Sequence, residues 1–266
     1  MQQPMQQPMQ QVASFDGARI AYEIYGQGPD VLLLHGFASD HLGNWVRPGI
    51  VAALVSSGRR VIAYDARGHG ASDKPHDVDA YEHDAMVRDA QALLDQLSIA
   101  SVDVVGYSMG AIVSSRLVGG GEPRARSLVL GGVGARLGRT LADRARTADA
   151  LAARGTARGA ARGERRSGGT IDRAFKRFAE RNGNDLDALA AVQRAAAAGT
   201  PGDVSSISVP TLVVAGEDDR LAGPPQELAD RIRGAVAVVI PGNHLSAVSK
   251  PLATAIVEFL GRVSPT

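Results

Sequence analysis

With 266 residues, 44% of them apolar, the chain is long enough for one large α/β domain around a sizeable core. Its formal charge of +1 supplies no overall field that would favour nucleic acid or an anionic membrane surface, and zero cysteines exclude disulfides and thiolate–metal sites. No apolar run approaches the roughly 20 residues of a membrane-spanning helix, so no membrane partner is expected.

In chain order, the first stretch is a Gln/Pro/Met repeat, MQQPMQQPMQQ, without the basic and apolar regions of a secretory signal. It offers no face to a core, so residues 1–12 are expected to form a disordered tail and the chain to be cytoplasmic. Residues 14–25 read as a hairpin turned at Asp16-Gly17. Residues 31–34, 60–64, 102–105 and 127–130 are near-continuous apolar runs, the pattern of strands buried on both faces of a parallel sheet. Helical patterns separate them, such as 86–97, where Val87, Ala90, Leu93, Leu94 and Leu97 share one side. Residues 211–215 and 236–240 add two strands, followed by helices over 226–232 and 251–260. Strict alternation of strand and helix predicts a mostly parallel, doubly wound α/β sheet with right-handed crossovers.

The texture changes between Arg136 and Pro201, where Ala, Arg and Gly dominate and no strand pattern occurs. Helix ends place three helices there. The first starts near Thr140, with Asp143 three residues on. The second starts at Thr170, carries Ile171, Phe175 and Phe178, and stops at Asn182-Gly183. The third starts at Asn184, carries Leu186, Leu189 and Val192, and stops at Gly199 before Pro201. The chain therefore divides into a tail (1–12), a first core segment (13–135), a helical cap (136–203) between strands 6 and 7, and a second core segment (204–266). Between Arg136 and Pro201, fourteen Arg/Lys against seven Asp/Glu give about +7; the remaining fifteen Arg/Lys and twenty-one Asp/Glu leave about −6 elsewhere. Solvated helix faces are the plain reading of that charge, and a lid favouring anionic substrates the sharper one. With so few aromatics available for base stacking, nucleic acid is not an expected partner.

The chemistry starts at Gly106-Tyr107-Ser108-Met109-Gly110, where a strand pattern hands over to a helix pattern. A serine at the tip of so sharp a turn needs small neighbours, and the following helix points its amides toward developing negative charge. Ser108 is the candidate nucleophile. Its hydroxyl requires a base. Of six histidines, His35 and His69 sit in glycine-flanked loops suited to packing or loop orientation, and His41, His76 and His83 lie in polar stretches. His244 alone follows the last strand, at the carboxyl edge where active-site groups of such sheets converge. It is the candidate general base. The carboxylate that orients it is expected from Asp218 or Asp219, which follow the strand at 211–215. The strand at 31–34 ends in His35-Gly36-Phe37, so the Phe37 amide, with that of Met109, is the expected oxyanion donor pair.

Two decoys are set aside. Gly132-Val133-Gly134 with Gly138 imitates a dinucleotide loop, but its third glycine is one position late and it follows the wrong strand. The acidic, His-containing run from His76 to Asp84 matches no metal-ligand spacing. No cofactor and no metal is expected.

HGF at 35–37, YDARGHGASD at 64–73, GYSMG at 106–110, GEDD at 216–219 and GNH at 242–244 together resemble the α/β-hydrolase superfamily. The resemblance is to its small, lid-bearing branch of serine carboxylesterases, cofactor-free haloperoxidase-like proteins and lactonase-like proteins, and it runs from Ser14 to Arg262. It implies the α/β-hydrolase fold, favours Asp219 over Asp218 as the acid, and assigns the oxyanion amides to Phe37 and Met109. It also implies that Asp65, Arg67 and His69 shape their loop. The elbow departs from haloalkane dehalogenases and epoxide hydrolases of this fold, which carry aspartate there, and Met109 replaces the tryptophan usual in proline iminopeptidases. The lid lacks the large apolar residues of true lipases and the aromatics of an aromatic C–C bond hydrolase. The expected function is cleavage of a small-molecule carboxylic ester through an acyl-enzyme, with Ser108, His244 and Asp219 as catalytic residues. Lactones, thioesters, amides and peracid formation use the same machinery. A ligand receptor or regulator of this fold with incidental turnover is the alternative.

Overall fold

The first residues to find a core face are those of β1 (Gln10–Ala13), which pairs antiparallel with β2 (Arg19–Tyr25) across a turn containing Asp16 and Gly17. The computed structural model describes residues 9–137, 141–153, 170–198 and 203–264. The hairpin turns where the Asp-Gly pair predicts, yet its first strand begins inside the stretch expected to be disordered. The cause is one side chain: Val12 is buried opposite Ile20, and the ladder carries its polar neighbours, with Tyr22 Oη donating to Gln10 Oε1 at 2.8 Å. Residues 1–8 of the expected tail lie outside the described residues.

The remaining strands are β3 (Asp30–Leu34), β4 (Arg60–Tyr64), β5 (Val102–Tyr107), β6 (Ala125–Gly131), β7 (Thr211–Gly216) and β8 (Val236–Ile240). They build an eight-stranded sheet in the order β1-β2-β4-β3-β5-β6-β7-β8, parallel from β4 to β8. Strand side chains alternate between faces, and both faces are apolar. Leu32, Leu34, Ile62, Val104, Leu128 and Val213 pack beneath α2 (Ala85–Gln96), α3 (Met109–Gly119) and α7 (Pro225–Ala229). Val31, Leu33, Val61, Val105, Val129 and Val214 pack against α1 (Ile50–Ser56) and α8 (Lys250–Val263). Full burial of each such Val or Leu contributes roughly 1.5–3 kcal/mol, which is what fixes the doubly wound order of layers. The edge strand β8 differs from the buried-on-both-faces pattern, with Val239 59% exposed, because no strand covers its outer side. Among the described residues no helix is long and apolar enough to cross a membrane.

Between β6 and β7 lie α4 (Leu141–Ala152), α5 (Thr170–Arg181) and α6 (Leu186–Ala198). Their small residues allow close approach: Ala148, Leu151, Ala179, Leu189 and Ala190 share a cluster with Ala38 of the loop after β3. The third helix begins at Leu186, two residues later than Asn184 predicts. Asp185 is the residue whose carboxylate accepts from the Asp187 and Ala188 amides, whereas Asn184 Nδ2 donates to the Ala38 carbonyl at 2.9 Å and ties the insertion to the core. Thr140, Gly199 and Pro201, used to mark helix ends, lie outside the described residues, as does Gly138.

The loops after β3 and β4 are joined by buried polar groups. His35 donates from Nδ1 to the Gly36 carbonyl and accepts the Ala66 amide on Nε2, and burial holds its pKa low, so it is a neutral orienting group. His41, read from its polar surroundings, is instead buried: its amide and its Nδ1 both meet Asp65 Oδ1 at 2.8 Å, and Glu23 lies 3.6 Å from its Nε2. Burial alone would lower the His41 pKa, but the hydrogen bond and charge of Asp65 raise it above the ordinary value of 6.5. Burial would likewise raise Asp65, yet His41 holds it far below the usual carboxylate range. A raised histidine stabilises fully below the unfolded value near 6.5 and loses that contribution as pH climbs through the folded value; a depressed carboxylate loses its contribution in acid. Thermal unfolding is therefore expected to show Tm declining above about pH 6.5. His41→Asn is expected to flatten that decline and to cost about 3–5 kcal/mol near pH 6, the scale for breaking a buried pair. A variant with the same pH slope as the parent contradicts the assignment.

Candidate active site

β5 ends at Tyr107 and α3 begins at Met109, leaving Ser108 alone on the turn with φ 53° and ψ −110°. Positive φ is costly for a side-chain-bearing residue, roughly 1–3 kcal/mol, and the surroundings enforce it. The Ser108 amide donates to the Gly131 carbonyl on β6 at 2.7 Å, and its carbonyl accepts the Ile112 amide of α3. A Cβ on Gly106 would collide with the Gly110 carbonyl and Ser114 Oγ, and one on Gly110 with the Leu34 carbonyl of β3. The two glycines are there because strand, turn and helix backbones cross in contact.

His244 sits on the loop after β8, which Asn243 shapes by accepting the Leu245 and Ser246 amides on Oδ1. His244 Nε2 lies 2.9 Å from Ser108 Oγ, and Nδ1 lies 2.7 Å from Asp219 Oδ2. Asp219 follows β7 and is buried; its other oxygen, Oδ1, accepts the Leu221 and Ala222 amides, both at 3.0 Å. Those two bonds set the carboxylate's orientation, so Oδ2 faces the imidazole and selects the tautomer with hydrogen on Nδ1, leaving Nε2 to accept from the serine. Asp218 is exposed and makes no side-chain contact with His244. Three side chains from the ends of β5, β7 and β8 thus form one hydrogen-bonded line.

Phe37 and Met109 line the same cavity as Ser108. Met109 opens α3, so its amide has no partner within the helix, and among the described residues neither amide meets a protein acceptor. Asn44 Oδ1 accepts the Gly36 amide at 2.9 Å and holds this turn against the serine, where a Cβ on Gly36 would stand 3.5 Å from Ser108 Cβ. The cavity encloses about 540 Å³; Ser108, Met109 and His244 line it, and Phe175, Val192 and Gln193 reach it from the inserted helices. Phe37 and Phe175 meet edge to face, with centroids 5.9 Å apart, where insertion and core join.

Sequence reasoning passed over Tyr107. Its hydroxyl donates to the His244 carbonyl at 2.7 Å, and the two rings lie 5.6 Å apart. The middle positions of a G-x-S-x-G string carry no signal, but Gly131-Gly132 did: a Cβ on either would strike the Tyr107 ring. The glycines that imitate a dinucleotide loop serve this packing, and Gly134 clears the backbone at Gly223 and Pro224. Tyr107→Phe is expected to lower kcat about five- to tenfold, the scale of one lost hydrogen bond, read in a steady-state ester-hydrolysis assay. An unchanged kcat would mean that other contacts hold the histidine loop. Likewise His76, read in a possible metal run, pairs with Asp185 of the insertion at 2.9 Å.

A family model for the alpha/beta hydrolase fold matches residues 29–251. A non-heme chloroperoxidase of Kitasatospora aureofaciens is 38% identical over 116 residues, which span 43% of this chain and 40% of that protein. The curated relatives are thus matched over about two fifths of their length or less. A hydrolase from Pseudomonas aeruginosa superposes with a TM-score of 0.75 at 27% identity, covering 96% of this chain and 98% of that one. The enol-lactonase of Burkholderia xenovorans superposes with a TM-score of 0.73 at 27% identity, covering 94% and 99%.

Proposed function

Because this chain belongs to the α/β-hydrolase fold family, we propose that it is a serine hydrolase that cleaves carboxylic esters through an acyl-enzyme. The observation that carries the reading is the hydrogen-bonded line from Asp219 through His244 to Ser108, with spacings of 2.7 and 2.9 Å. Ser108 Oγ attacks the ester carbonyl carbon as its proton passes to His244 Nε2, and Asp219 steadies the resulting imidazolium. The amides of Phe37 and Met109 receive the oxyanion, helped by the positive end of α3. Collapse of the tetrahedral adduct breaks the C–O bond, and His244 returns its proton to the leaving alcohol. Water, deprotonated by His244, then attacks the acyl-enzyme and releases the acid. No step calls for a cofactor. A cyclic ester fits the same sequence of steps, and the near full-length likeness to an enol-lactonase supports including lactones among the assayed substrates.

The test is hydrolysis of p-nitrophenyl butyrate together with labelling by a fluorophosphonate. Multiple turnover, abolished as one phosphonyl group attaches to Ser108, supports the proposal. Binding of esters with no more than one turnover would instead indicate a receptor. Failure of both turnover and labelling overturns the reading.

A further inference from the structure

One buried polar atom lining the cavity has no partner among the described residues. Gln193, on α6, is only 5% exposed, and its Oε1 has no hydrogen-bond partner. It lines the cavity shared with Ser108 and His244, and the neighbouring wall is apolar: Val192, Ala195 and Phe175. Tyr81, which also lines the cavity, already donates to the Pro75 carbonyl at 2.7 Å. A buried amide oxygen without a partner is unfavourable unless something entering the cavity meets it.

We propose that Gln193 is a specificity residue that hydrogen-bonds a hydroxyl group carried by the substrate away from the scissile ester. The proposal rests on the ester-hydrolase reading above and deepens it. A hydroxyl fits because it donates to Oε1 as the amide stands, and accepts from Nε2 if the amide turns over. Of the cations lining the cavity, Arg116 is paired with Asp84 at 2.7 Å and Arg136 donates to the Arg220 carbonyl at 3.4 Å, so a carboxylate-bearing ester is included in the test as the competing ligand. A plain alkyl ester would fill the same space and leave the amide unpaired, which is the situation in which a hydrogen-bonding site discriminates strongly.

The experiment compares matched esters on the full chain and on Gln193→Leu. One set varies the acyl part of p-nitrophenyl esters (hexanoate, its hydroxylated analogue and its carboxylate-terminated analogue), and another varies the alcohol part of butyrates (alkanol against diol). In at least one set kcat/KM for the hydroxylated ester is expected to exceed the plain one by about tenfold or more, and Gln193→Leu is expected to bring that ratio to about one. The variant's Tm is expected to hold or rise, because an unpaired buried carbonyl oxygen has been replaced by an apolar group of similar size. A ratio that Gln193→Leu leaves in place overturns the proposal, as does a preference for the carboxylate-terminated ester that survives the substitution. Absence of turnover on every ester, with no labelling of Ser108, overturns the ester-hydrolase reading first and this one with it.

Discussion

Ser108→Ala is expected to lower kcat for ester hydrolysis by about four orders of magnitude or more, with Tm within a degree or two of the parent. The effect is large because the hydroxyl that His244 Nε2 meets at 2.9 Å is, in the proposed mechanism, the group that bonds to the carbonyl carbon. Without it, His244 has no proton to take, and the amides of Phe37 and Met109 assist water alone. The fold is spared because alanine keeps the Cβ, hence the same positive φ and the same amide bond to Gly131. Loss of less than tenfold in kcat would remove Ser108 from the mechanism.

The second large effect separates two adjacent carboxylates. Asp219→Asn is expected to lower kcat about 10³- to 10⁴-fold, whereas Asp218→Asn is expected to change it less than about twofold. In the first variant the side-chain oxygen keeps accepting the Leu221 and Ala222 amides, each 3.0 Å away. The new NH₂ then faces His244 Nδ1, which must accept, so the ring's hydrogen moves to Nε2. Nε2–H cannot take the serine proton. Geometry survives while function fails, and a steady-state assay with unfolding curves distinguishes this from loss of structure. Asp218 points into solvent, so its amide disturbs nothing in the line. The reverse ranking would assign the acid to Asp218.

Much of this arrangement was legible because close-packed sheets write themselves as apolar runs. Residues 60–64 and 236–240 coincide with β4 and β8, and the elbow at 106–110 announces a backbone crossing that only glycine permits. What was not legible depends on single side chains meeting far along the chain. One valine at position 12 anchors a strand in a stretch otherwise polar enough to look unstructured. His41 is buried because Asp65, twenty-four residues away, offers one oxygen to both its ring and its amide. Asp185 outcompetes Asn184 for the start of α6 because the Ala38 carbonyl engages the asparagine. Tyr107 and Gln193 gave no signal in their own neighbourhoods; each acquires a role only when another loop or helix closes over it.

The dihedral angle at residue 108 implies that catalytic competence and thermodynamic robustness pull in opposite directions at this one position. Glycine there would relax the torsion, so Ser108→Gly should melt later than the parent even though it is inert. Selection for heat tolerance alone would therefore tend to discard the proposed nucleophile.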